Sequence, residues 1–280
     1  MGRLIVLQSM WAMERRHTDG FERSLEDNVR MIVEAGYGGV SAHCTDRAAV
    51  ARLASLLKGT GLVIEGQAFP KSVEDLAPVL EIAAEFGVHH VDLQPDVRPR
   101  RIDDCLPLLD GWMRLAGEAA VPVWIETHRD RMTTDLYFTL DLLDRRPDLP
   151  LIADLSHFLV GREFAWPVSE ENHAMIRRVL ANAKSFHGRV ASREQVQVEI
   201  SYPHHRQWLD LFLGWWEYGF RRHRAREGAD ADLCFTCELG PKPYAITGVD
   251  GNDAADRWAE ALQLRAAVEA LHARVAAEPA

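Results

Sequence analysis

The 280 residues, 47% hydrophobic and 26% charged, can close one sizeable core, and this composition excludes the disordered and fibrous classes. A net charge of −10, from 42 acidic against 32 basic residues, would repel a phosphate backbone unless the bases gathered on one face, so nucleic acid is not expected as a partner.

The first apolar run, LIVLQS at 4 to 9, is too short for a signal-peptide core or a membrane span, and no later run is long enough either. The expectation is a cytoplasmic protein with no membrane partner. Seven further runs follow: GGVSAHC at 38 to 44, GLVIEGQAF at 61 to 69, HHVDLQP at 89 to 95, VPVWIETH at 121 to 128, LPLIADLSH at 149 to 157, SFHGRV at 185 to 190 and DLCFTCELG at 232 to 240. Continuous apolar runs suit strands covered on both faces.

Between them stand amphipathic segments such as SLEDNVRMIVEAG, AAVARLASLLKGTG, SVEDLAPVLEIAAEFG and RIDDCLPLLDGWMRLAGEA, several with glycine near the end, which read as helices with glycine stops. Eight strand and helix units predict an α/β fold, a (β/α)₈ barrel in a single domain over residues 1–280. A doubly wound open sheet is the competitor, but no Gly-x-Gly-x-x-Gly loop follows the first strand.

One connection, residues 191–231, is long and rich in aromatic residues, from Tyr202 through Trp208, Phe212, Trp215 and Trp216 to Phe220. It suggests a lid, ordinary helix packing or a subunit contact, the last implying a homo-oligomer. The basic run Arg221-Arg222-His223-Arg224-Ala225-Arg226 within it reads as a solvated helix face. Of the cysteines, Cys234 and Cys237 form a Cys-Phe-Thr-Cys pair, but no second pair at zinc-site spacing accompanies it, so both read as small apolar residues of a buried strand.

In such a barrel, function sits at the carboxyl ends of the strands. Glu126 lies near the end of the fifth strand, where alternation puts Trp124, Glu126 and His128 on one face. Asp154 lies in the sixth with His157 three residues later, just past the strand, where a loop residue can turn back over the mouth. His187 lies in the seventh and Glu238 in the eighth. Singly, a strand-end Asp reads as a helix cap and a lone His as a satisfied core residue. Together, three carboxylates and an imidazole at one end of four consecutive strands require a cation between them. Oxygen donors with one nitrogen favour Mn²⁺, with Mg²⁺ or Co²⁺ as alternatives, over structural zinc.

At these residues the chain resembles the xylose isomerase-like barrel superfamily, which includes ketose 3-epimerases, hydroxypyruvate isomerase, inosose dehydratase and endonuclease IV. The pattern there is Glu, Asp, His, Glu on strands five to eight with a His three residues after the Asp, matched by Glu126, Asp154, His157, His187 and Glu238. Epimerases of this group also place an Arg six residues after the strand-seven His, here Arg193.

The resemblance implies proton transfer at a carbon beside a carbonyl or hydroxyl of a sugar, keto-sugar or related polyol, through a metal-stabilised enediolate. Glu126 and Glu238 are then acid and base, and His157 and Arg193 hold substrate oxygens. His128 stands where sugar isomerases of this group carry a Lys, which argues against a xylose isomerase route. Gln8 and Trp11 at the first strand, Gln67 at the third and Gln94 at the fourth are candidate pocket walls for this small carbohydrate ligand.

A lyase or dehydratase expelling water or an aglycone would use the same groups. An endonuclease IV-like phosphodiesterase needs more His and Asp ligands and a basic face, and a barrel without chemistry would keep costly polar groups for nothing.

Overall fold

The computed structural model describes residues 2–15 and 22–278. Each of the eight apolar runs contributes a strand: β1 (Leu4–Ser9), β2 (Gly39–His43), β3 (Val63–Ala68), β4 (His90–Leu93), β5 (Val123–Glu126), β6 (Leu151–Ala153), β7 (Ala183–Gly188) and β8 (Leu233–Cys237). They pair in chain order, all parallel, and β8 returns to β1 to close the barrel.

The helices are α1 (Leu25–Glu34), α2 (Arg47–Leu57), α3 (Ala77–Phe86), α4 (Ile102–Ala119), α5 (Leu136–Arg145), α6 (Ser156–Gly161), α7 (Glu170–Ala181), α8 (Arg206–Glu227) and α9 (Arg257–Ala277). Their starts are chemically marked: the side chains of Ser24, Asp46, Asp135, Ser169 and Asp256 accept backbone N–H bonds in the first turn. At the end of α3, Gly87 takes the left-handed conformation, with φ of 64°, as the predicted glycine stop requires.

Alternation along the strands divides the interior. Val6, Val40, Ile64, Val91, Ile125, Phe186 and Phe235 join the large core shared with the helices. On the axial side, Ile5, Leu7 and Cys234, with Val63 against them, form a separate small plug. The other axial positions are largely polar, although barrels of this kind usually fill them with branched aliphatic side chains.

Residues 191–231 contain the barrel's own helix α8. Trp208, Phe212, Trp215, Trp216 and Phe220 are buried, with ring centroids of Trp216 and Phe235 5.0 Å apart and those of Phe186 and Phe220 5.2 Å apart. Helix packing accounts for these aromatics. In the basic run, Arg221 pairs with Glu217 and Glu278, Arg226 with Glu227, and Arg224 donates to main-chain carbonyls of Val275 and Glu278. Among the described residues no helix is long and apolar enough to cross a membrane.

Candidate metal centre and substrate pocket

The carboxyl ends of β5 to β8 bring Glu126, Asp154, His187 and Glu238 together, with one donor atom from each lying within 4.8 Å of all the others. All four residues are buried. The Nδ1 of His187 lies 3.0 Å from Glu238 Oε2 and 3.5 Å from Glu126 Oε1. These are contacts between opposite charges, not well-directed hydrogen bonds. Glu126 Oε1 and Oε2, Asp154 Oδ2, His187 Nδ1 and Glu238 Oε2 are all buried without a hydrogen-bond partner among the described residues.

Local bonds aim these atoms. The other Asp154 oxygen accepts from the Ser156 amide at 2.9 Å and its hydroxyl at 2.5 Å, which turns Oδ2 inward. The hydroxyl of Thr133 donates to the Glu126 carbonyl and that of Thr127 to the Asp154 carbonyl, each at 2.8 Å, tying down both strand ends. Gln67 Nε2 donates to Glu238 Oε1 at 3.4 Å, leaving Oε2 toward the centre. Three carboxylates and one imidazole whose atoms converge in a buried space without hydrogen bonds of their own fit a divalent cation.

Electrostatics reflect the crowding. Burial works to raise the Glu238 carboxyl, but Arg189 and His187 outweigh it and bring it down to about 2. Burial works to lower His187, yet Glu238, Glu126 and Glu65 hold it well above the usual imidazole value. Asp154 is raised, chiefly by burial, with Arg189 opposing. His157 is buried and pushed well below 6.5, first by burial and then by His128 and Arg189, so it is neutral and its 3.5 Å approach to Asp154 is not an ion pair.

His157 does not sit in a loop, as expected from sequence, but in the first turn of α6, because β6 ends at Ala153 and the helix begins at Ser156. Its ring lies 3.9 Å from that of His128.

Above the cluster opens a cavity of about 190 Å³ with Glu238 at its edge, walled by Trp11, Gln67, Gln94, His128, Arg189 and Tyr244 among others. Trp11 meets Tyr244 edge to face at 5.1 Å. A Cβ on Gly240 would stand 2.0 Å from Trp11 Cη2, so only glycine lets that indole seat here.

One expected wall residue, Gln8, and one expected substrate-binding residue, Arg193, lie elsewhere. Gln8 pairs in register with Val40 and Cys237, on the helix-facing side, so its side chain points away from the axis. Arg193 is not brought to the cluster: its side chain is 45% exposed and lies near Glu163 and Glu194, each at 3.6 Å.

The cation buried at the cluster is Arg189, two residues after His187 and just past the end of β7, on the same face. It contacts Glu238 Oε2 at 2.8 Å, Asp154 Oδ2 at 3.2 Å and His157 Nε2 at 3.2 Å, and its guanidinium carbon lies 4.7 Å from the Tyr244 ring centroid. Alternation from His187 carried that signal. The same alternation places Glu65 and His90 on the axis below Gln67 and Gln94, and Asp92 beside Glu126. Burial and the neighbouring Glu126 push the Asp92 carboxyl well above its ordinary value.

No protein-family model and no curated protein sequence matches the chain. Solved structures do. A xylose isomerase-like TIM barrel protein from Mycobacterium smegmatis in complex with magnesium aligns over 97% of each chain at 13% identity with a TM-score of 0.63. D-psicose 3-epimerase in the presence of D-fructose aligns over 97% of this chain and 99% of its own at 12% identity, TM-score 0.60. The probable 3-DHS dehydratase of petrobactin synthesis from Bacillus anthracis aligns over 97% and 98% at 15% identity, TM-score 0.57. At such identities the likeness is one of architecture: this chain shares the closed parallel (β/α)₈ barrel of these proteins.

Proposed function

We propose that this protein is a divalent-metal-dependent isomerase or epimerase acting on a small sugar, keto-sugar or related polyol. The observation that carries the reading is the convergence of donor atoms on Glu126, Asp154, His187 and Glu238 that lack hydrogen-bond partners among the described residues, buried beneath a pocket with amide, imidazole and aromatic walls. The oxygen-rich set favours Mn²⁺, with Mg²⁺ or Co²⁺ next, and the magnesium complex of a structural neighbour is in keeping with a hard cation.

A bound cation would polarise substrate oxygens and stabilise negative charge developing beside the reacting carbon. The protein's own groups do the rest. Glu238 and Glu126 project from β8 and β5, with two strands between them, and so approach a ligand from different sides. One, as the carboxylate, accepts the proton from carbon, and the other, in its protonated form, delivers its own proton to the carbanion. Neutral His157 and the guanidinium of Arg189 bind substrate oxygens, while Gln94 and His128 orient hydroxyls. Trp11 and Tyr244 cover apolar sugar faces and exclude water. The cavity, about 190 Å³, is smaller than the ~300 Å³ at which drug-sized pockets begin, which suits a small metabolite.

The second reading is a lyase or dehydratase, supported by the likeness to the Bacillus anthracis protein. Proton abstraction is then followed by loss of a neighbouring hydroxyl or glycosidic oxygen. Incubating Mn²⁺-supplemented protein with a panel of ketoses and their glycosides in heavy water separates the two. Deuterium at carbon with the product's formula otherwise unchanged supports isomerase or epimerase chemistry. Loss of water or aglycone supports the lyase, and no exchange across the panel contradicts both.

A further inference from the structure

Beneath the four converging donors stands a second polar tier that the proposed proton transfer does not use. Glu65 of β3 is fully buried, and both of its oxygens are engaged. Oε1 lies 3.3 Å from His187 Nε2 and accepts from the Thr236 hydroxyl at 3.1 Å. Oε2 lies 2.8 Å from His90 Nε2. His90 is clamped in turn, stacked on Trp124 at 4.1 Å between ring centroids and with its Nδ1 2.9 Å from that of His89.

A neutral imidazole has one protonated nitrogen and one lone pair, so a histidine can serve a cation at Nδ1 only if its proton sits on Nε2. An ionised carboxylate accepts hydrogen bonds and cannot donate them. Set against Nε2, it selects that tautomer and holds the ring plane.

We propose that Glu65, held by His90 and Thr236, is the positioning residue that fixes His187 as nitrogen donor, with Nε2–H donated to Glu65 and the Nδ1 lone pair turned toward Glu126, Asp154 and Glu238. This rests on the metal-centre reading above. It explains why a carboxylate and an imidazole are buried on a barrel axis that aliphatic side chains could fill. A second cation among Glu65, Asp92 and His187, whose donor atoms also lie within 4.8 Å of one another, is the competing assignment. It would have to compete with the hydrogen bonds Glu65 already accepts and share one imidazole with the first cation.

The test is Mn²⁺ titration of chelator-stripped wild type, Glu65→Gln and His90→Gln, with circular dichroism of each metal-free protein. One equivalent in wild type and a Kd weakened about 10- to 100-fold in Glu65→Gln, with the metal-free spectrum retained, is the expected result. A smaller weakening is expected in His90→Gln, which carries the test alone if Glu65→Gln does not fold. A purely structural Glu65 would leave Kd unchanged while altering unfolding, and that result overturns the proposal without touching the metal centre. Two equivalents in wild type, one of them lost in Glu65→Gln, also overturns it. No binding by wild type overturns the metal-centre reading together with this one. In Zn²⁺-loaded protein labelled with ¹⁵N-histidine, His187 should carry its proton on Nε2, and a proton on Nδ1 contradicts the assignment.

Discussion

Two polar tiers share the barrel axis, and they are finished differently. In the upper one Glu126, Asp154, His187 and Glu238 each present a buried atom without a hydrogen-bond partner among the described residues. In the lower one, Glu65 has three partners on its two oxygens. Arg189 sets its charge against Glu238 and Asp154 but leaves both Glu126 oxygens and His187 Nδ1 without hydrogen bonds, and since burial costs both tiers alike, the difference marks which is completed by the chain and which by a ligand from outside. Asp92 stands between them, its oxygens unpartnered like those above, with a carboxyl raised by burial and by Glu126 toward the neutral form.

The largest effect expected from this contrast is on catalysis. Glu238→Gln keeps the volume and removes the proton acceptor, so deuterium exchange into substrate carbon should fall by at least about 10³-fold with the fold intact. Unchanged exchange removes Glu238 from its role.

A pH titration sharpens the comparison next. Without metal, the surrounding Glu238, Glu126 and Glu65 overcome burial and keep His187 protonated well above pH 6.5. A cation must expel that proton, so affinity should fall as pH falls, by up to ~10-fold per unit for one proton. The sign for the metal-free fold is opposite. A raised folded-state value contributes stability fully present below the unfolded value of 6.5 and lost as pH rises through the folded one. Calorimetry in buffers of different ionisation enthalpy measures the proton release.

Metal supply should then stabilise the fold. Free Mn²⁺ at 100 times Kd adds about 2.7 kcal/mol, roughly 5 °C in Tm for a chain of this size, reversed by chelation. The smallest effect tests the two arginines. Arg193→Ala should change KM less than about twofold, since surface changes rarely exceed ±0.5 kcal/mol, whereas Arg189→Ala leaves Glu238 and Asp154 without their cation and should impair both metal retention and turnover.

The barrel was legible because eight short runs rich in Val, Ile and Leu recur between segments of helical periodicity, and the ligand order because charge inside such strands is expensive. What escaped was direction. Counting six residues from His187 led to Arg193, on the surface, while counting two along the alternating strand leads to the buried Arg189. Gln8 failed for the same reason, lying one step out of phase with Leu7 and Ser9. Glu65 and Asp92 sit mid-strand and His90 at the start of β4, none of them at the mouth, so the rule that function lies at the carboxyl ends of strands passed over them, although alternation puts each on the axis. The aromatics of α8 needed tertiary contacts to be read as core, since neither composition nor spacing tells a buried helix face from an interface.

The central claim is that one divalent cation completes the upper tier. Equilibrium Mn²⁺ binding to chelator-stripped protein, compared with Asp154→Asn, tests it most directly. One equivalent per chain in the wild type, with affinity lost in the variant, is the predicted result. Absence of binding, or binding indifferent to Asp154, would contradict it.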